Sequence, residues 1–155
     1  MKKHTPRWVR ASVLKHFNDT LSSSFKIFIE GMHRDAKDLA QHHIELRMDG
    51  PRLRETSNKE YQVWVSVNVL LKDNQDRNLY TQDIVAGEVL EAFTRCIQVY
   101  KYGDGPDDDD SLYFSLVLQD NPRGVNYNRF GQIEKHTKVD QATIEGHYVG
   151  YVTIP

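Results

Sequence analysis

The stretch EYQVWVSVNVLL, Glu60–Leu71, decides how this chain folds. Tyr61, Val63, Val65, Val67, Val69 and Leu71 fall on one side of an extended backbone, and Gln62, Trp64, Ser66 and Asn68 fall on the other. Period-two order over this length marks a strand buried on one face, and the β-branched run suits a pleated surface. Such a strand needs apolar cover over its valines. Its second face is half apolar, with Trp64 and Leu70 among polar groups, and is a candidate partner surface.

The flanking sequence supplies the cover. Near the N-terminus, Thr5 is placed to cap a helix and Pro6 suits the first helical position. Val9, Val13, Phe17 and Leu21 then recur every four residues with Leu14 beside them, while Arg7, Arg10 and Lys15 fall outside this stripe. DIVAGEVLEAFTRCI, residues 83–97, predicts a second helix with Ala86, Val89, Leu90, Phe93 and Ile97 on one side. Gly87 inside it costs up to about 1 kcal/mol relative to alanine, which points to close packing against the sheet or a neighbouring chain. Cys96 falls in the same apolar pattern and reads as core rather than as a nucleophile.

Further strands are predicted at FKIFIE, HHIELRMD, IQVYKY, SLYFSLVLQ and ATIEGHYVGYVTIP. GMHRDAKDLAQ reads as a loop or short helix, and GPRLRETSNKE breaks the alternation at Gly50 and Pro51. Gly146 and Gly150 in the last strand mark bulges or a close approach of other groups to the backbone. The order is a helix, two strands, the long strand, a helix and three more strands. It predicts an α+β fold: a mostly antiparallel β-sheet with two α-helices packed on one face. The whole chain, residues 1–155, is read as a single domain, with 119–141 as a possible interaction loop.

Bulk composition narrows the function. Hydrophobic content is 39%, charged content 27% and formal net charge −2, which suits a globular protein and lacks the basic excess of a dedicated duplex-DNA binder. A single cysteine allows no intrachain disulfide. The start MKKHTPRWVR is not followed by the apolar run of a signal peptide, and nothing approaches the ~18 apolar residues of a membrane span.

Charged clusters are the candidate sites. IELRMDGPRLRE places Glu45, Asp49 and Glu55 near Arg47, Arg52 and Arg54. A metal nuclease would want an aspartate at a strand start and a carboxylate-x-lysine on the next strand. Asp49 could serve as the first. The following strand has no such triplet, and Asp35–Lys37 lies in the polar segment before. The cluster therefore reads as charges on the solvent or interface side of a strand. Opposite charges two residues apart can pair within the strand or with a neighbouring subunit.

YGDGPDDDD holds Asp104, Asp107, Asp108, Asp109 and Asp110 without the ligand spacing of a calcium-binding EF-hand, so a solvated loop is the plain reading. His42 and His43 point to opposite faces of a strand and do not chelate together. RGVNYNRFGQ, carrying Arg123, Tyr127, Arg129 and Phe130, could stack on bases; an aromatic-anchored loop or interchain arm is the plainer reading. No zinc, phosphate-loop or nucleophile-elbow motif is present in the sequence, and no catalytic residue, metal or cofactor is expected.

IELRMDGP, then YQVWVSVNVLL, then YTQDIVAGEVLEAF and IQVYKYG resemble virion structural proteins of tailed phages. The element order over most of residues 5–118 is similar to that of the tail terminators, which cap the tail tube and join it to the neck. That resemblance implies a homohexameric ring through which DNA passes without sequence-specific binding. It implies contacts with the tail tube and neck or connector proteins, no membrane, and a place in the virion after assembly in the host cytoplasm. A head–tail connector, a neck adaptor or a tube-like protein stays open beside it. So does a nucleic-acid or protein binding module. Under the ring reading, Asp104 and Asp107–Asp110 are expected at the lumen or rim. Glu45, Arg47, Asp49, Arg52, Arg54, Trp64, Arg123, Tyr127, Arg129 and Phe130 are candidates for the subunit interface.

Overall fold

The computed structural model describes residues 4–21, 27–29, 43–57, 60–73, 80–119, 125–132 and 140–153. The long alternating stretch is the central strand β3 (Glu60–Asp73), between β2 (His43–Ser57) and β7 (Asp140–Thr153). β3 and β7 pair antiparallel without a break from Glu60↔Thr153 to Asp73↔Asp140. Beyond β2 lies the short β1 (Ile27–Ile29), the one parallel neighbour in the described sheet. The other edge of β7 is shared. β6 (Asn126–Gln132) pairs with its first half, and β5 (Leu112–Leu118) meets Tyr148 and Val149 and carries β4 (Cys96–Tyr100) outside it.

Both helices, α1 (Thr5–Leu21) and α2 (Tyr80–Ala92), lie on the same side of this sheet. Between them and the sheet sits one core. Val63, Val65, Val67 and Val69 of β3 are fully buried with Ile44, Ile144 and Tyr148, under Val9, Val13 and Phe17 of α1 and Val85 and Val89 of α2. The α+β architecture predicted from the alternation and the two helical stripes is the observed one.

Several local expectations need correction. Thr5 does not cap α1. It is the first helical residue, its hydroxyl is buried without a protein partner, and the first turn closes on the His4 carbonyl, which accepts from Trp8 N–H at 3.0 Å. β2 does not stop at Gly50–Pro51 but runs on to Ser57. There Asp49 opposes Ser66 and Arg52 opposes Trp64, so β2 carries one extra residue, a β-bulge. Gly50 takes φ 110°, and a Cβ there would stand 2.7 Å from the Trp64 carbonyl oxygen, so only glycine fits. The bulge resets the phase of the strand. Without it Arg52 and Arg54 would turn toward the core; with it they stay on the face of Glu45, Arg47 and Asp49, and Leu53 points to the core side.

The second helix begins at Tyr80 and ends at Ala92, earlier than the apolar pattern suggests. Ile97 is buried as expected, but as part of β4. Cys96 beside it is an exposed strand residue rather than core. The segment 119–141 holds β6, so it is not one long loop. Gly146 and Gly150 mark close approach rather than bulges. The β3–β7 register is continuous, and an added Cβ would meet the Phe93 ring at 2.4 Å or the Ser115 carbonyl oxygen at 2.8 Å. Gly87 is the opposite case, exposed and with nothing within 4 Å of an added Cβ. The segment at 31–41, read as a loop or short helix, lies outside the described residues.

Two glycine substitutions should therefore move stability in opposite directions. Gly150→Ala forces backbone apart and is expected to cost about 1–3 kcal/mol. Gly87→Ala only gains helix propensity and is expected to stabilise by up to about 1 kcal/mol. Urea unfolding of the two variants beside the parent chain measures both.

Candidate functional site

The two described helices lie on one face of the sheet, and the strand register defines what stands on the other among the described residues. Arg52↔Trp64, Trp64↔Val149, Val149↔Val117 and Val117↔Cys96 form one line across β2, β3, β7, β5 and β4. Trp64 and Val117 are exposed, and Val149 is buried between them. Tyr151, on the same face two residues further along β7, is exposed as well. The Trp64 ring lies 5.0 Å from that of His147, at 43°. From Trp64 on β3 to Cys96 on β4 this line is apolar, with Trp64 and Val117 exposed at either side of the buried Val149, and the core does not account for it.

The arginines and acids of β2 border this line. Arg47 Nε donates to Glu45 Oε1 at 2.9 Å, and Arg52 Nη2 donates to Asp49 Oδ2 at 2.8 Å. Glu45 was expected on the wet side. It is on that face but buried, at 2% exposure, and next to the buried Leu70 to which it is registered. Glu45 therefore holds the half-exposed Arg47 in place and is not itself a contact group for a neighbour. Arg54 is exposed and forms no ion pair among the described residues. The exposed Asp49–Arg52 pair contributes only ~0–1 kcal/mol to stability.

The aspartate loop between β4 and β5 is built around one member. The Asp108 carboxylate is 1% exposed and turned in toward α1. It accepts from Arg7 Nη2, from Trp8 Nε1 at 2.6 Å and from Gly105 N–H at 3.0 Å. Burial pushes this carboxyl up, but the hydrogen bonds from Arg7, Trp8 and Gly105 outweigh that and hold it below its ordinary value. Asp108 is thus an anchor for the loop and not a member of an open acidic rim. Ser111 Oγ and N–H both donate to Asp109, at 2.6 and 3.1 Å, and lower its pKa too. Asp104, Asp107, Asp109 and Asp110 are exposed. Nothing in a run of like residues marks Asp108 for a separate role; its partner Trp8 stands beside Val9 of the apolar stripe, and that adjacency is the signal for its inward position on α1.

The remaining candidates are dispersed. Tyr127 faces the helix side, where its hydroxyl donates to Asp83 Oδ1 of α2 at 2.8 Å, so it ties β6 down within the chain. Arg129 is a residue of β6 opposite Ala142, Phe130 sits at the irregularity beside it, and Arg123 lies outside the described residues. A cleft of about 290 Å³ between α1 and β4 is lined by Ser12, Lys15, His16, Cys96, Ile97, Gln98, Tyr100 and Tyr102. In it His16 Nε2 donates to the Ala92 carbonyl at 2.9 Å, and Ser12 Oγ accepts from Tyr100 N–H at 3.0 Å. These contacts dock α1 against the outer strand. Among the described residues no three histidine, cysteine or acidic side chains stand close enough to hold a metal ion, and Asp49 is engaged by Arg52. No described helix is long and apolar enough to cross a membrane.

No family model matches the chain, and no curated protein does. Solved structures do match it. One of them, whose name states no function, is 11% identical over 93% of this chain and 94% of its own, with a TM-score of 0.56. At that identity the likeness is one of fold.

The Asp108 anchor has a pH signature. Its folded pKa lies below the unfolded value of about 3.9, so its stabilisation is present above that value and is lost as pH falls through the lowered one. Asp108→Asn is expected to be less stable than the parent at pH 7, with the gap closing as pH falls through and below the ordinary aspartate range. Thermal unfolding of both proteins between pH 7 and pH 2 checks this; a gap independent of pH would contradict it.

Proposed function

We propose that this chain is a structural virion protein of a tailed phage, a ring subunit of the tail-terminator type that ends the tail tube and joins it to the neck. The observation that supports this reading best is the sheet face bearing the exposed Trp64, Val117 and Tyr151, opposite the face on which the two described helices pack. Large apolar side chains kept in water cost hydrophobic free energy until a partner covers them, at roughly 25 cal/mol per Å². The element order carries the resemblance. A ring subunit uses two different patches, and repetition of one rotation closes the circle.

In such a ring the exposed Asp104, Asp107, Asp109 and Asp110 belong at the lumen or rim. Carboxylates there repel phosphates and let DNA slide, where a basic lumen would retain it by counterion release. Asp108 has a different part. It fixes the loop to α1, so that its neighbours are presented from a rigid base. A connector or tube-like protein uses the same open face and differs in its axial partner. The binding-module alternative rests on Arg123–Gln132, in which the Tyr127 hydroxyl is engaged within the chain by Asp83.

Light scattering and negative-stain microscopy of the purified chain test this. The expected outcome is a six-fold ring, formed alone or on addition of tail tubes, with no salt-sensitive retention of oligonucleotides. A chain that stays monomeric in both conditions, or that binds single-stranded DNA with a steep salt dependence, contradicts the ring.

A further inference from the structure

Among the described residues, apart from Leu112 at the start of β5, the exposed large apolar side chains divide between two opposite surfaces of the molecule. Trp64 at 36%, Val117 at 37% and Tyr151 at 55% exposure lie on the open sheet face. Ile84 at 49% and Leu90 at 37% lie on the outer side of α2, which packs on the sheet's other face through Val85, Ala86 and Val89. Ile84, Gly87 and Leu90 are spaced by three and form one line along α2, with Gly87 at its middle. Gly87 weakens the helix, yet nothing in the chain stands within 4 Å of the Cβ it lacks. The space it leaves is on the outside.

The charges on the two surfaces are complementary. Beside the α2 line stand Glu88 and Glu91, both exposed and without ion-pair partners among the described residues. Beside the Trp64 line stand the exposed Arg47, Arg52 and Arg54. Among the described residues the acids on that face that reach solvent are Asp49, already bonded to Arg52, the half-buried Glu145 of β7, and Glu60 at the end of β3, neither of the last two registered opposite Arg52 or Arg54. The helix line is apolar with an acidic border; the sheet line is apolar with a basic border.

We infer that the Ile84–Gly87–Leu90 line of α2 docks on the Trp64–Val149–Val117 line of a second copy of this chain, with Glu88 and Glu91 facing the partner's Arg52 and Arg54. The missing side chain at Gly87 lets the helix backbone come close to the exposed indole. Because the two surfaces lie on opposite sides, the contact is heterologous: each copy offers its helix to one neighbour and its sheet to the next. This rests on the ring reading and names the surfaces that would form the ring.

Charge exchange tests it. One variant carries Glu88→Arg and Glu91→Arg, the other Arg52→Glu and Arg54→Glu, and circular dichroism confirms that each is folded. Each alone is expected to be monomeric by light scattering, because like charges then face each other. An equimolar mixture is expected to regain the parent's particle mass as an alternating assembly, because the reversed helix of one fits the reversed sheet of the other. Gly87→Gln, which keeps the helix, is expected to lose association while thermal stability is kept or raised. If the parent assembles and either charge variant assembles equally well alone, or if the folded variants stay apart when mixed, the docking surfaces are wrong and the ring stands. A parent that never assembles overturns both.

Discussion

The valine face of β3 has to be kept from water, and most of the fold answers to that need. Four fully buried valines at every second position of one strand present a flat apolar strip too long for a single helix crossing to cover. The chain meets this with neighbouring strands that carry the same face outward from β3, and with two helices above. β7 follows β3 residue for residue along its whole length. Glycine at 146 and 150 is what permits such a match while Phe93 and Phe114 come down onto the strand. Each buried aliphatic side chain contributes roughly 1.5–3 kcal/mol, so this shared face outweighs any single polar contact in the molecule.

Apolar burial sets how strongly α1 is held; polar bonds set where. Arg10 reaches the Gly50 carbonyl at the β2 bulge, Ser12 meets the backbone of Tyr100 on β4, and Arg7 and Trp8 hold Asp108 beyond it. These contacts lie toward opposite edges of the sheet, so the helix spans it like a brace. Net values near 1 kcal/mol are usual for such bonds. They add little to stability beside the core, but they leave α1 one seat. The aspartate loop inherits its position from that seat.

The layer arrangement was legible because burial imposes a period. Val63 to Val69 and Val9 to Leu21 carry their own geometry in their spacing. What stayed hidden has other causes. A bulge shifts the phase of a strand, so Arg52 and Arg54 looked like a break in β2 when they continue it. Cys96 and Ile97 satisfy a helical pattern and a strand pattern equally, and the chain's turn at Phe93–Arg95 decided between them. At the candidate site, Trp64 stood out because an indole interrupts a polar face. Its alignment with Val149 and Val117 did not, since register between strands far apart in sequence is set by the assembled sheet. Asp108 and Tyr127 were misjudged for the same reason: their partners, Trp8 and Asp83, lie far off along the chain.

The chain's two tryptophans stand in opposed surroundings. Trp8 is fully buried, its indole N–H given to a carboxylate and its ring edge-on to Tyr113 at 5.4 Å, whereas Trp64 lies in the open against His147. The molecule thereby contains two built-in optical reporters. The emission of one follows the integrity of the fold, and that of the other follows whatever comes to cover the sheet. Replacing either indole by phenylalanine separates the two signals, so folding and association can be watched independently in a single unlabelled sample.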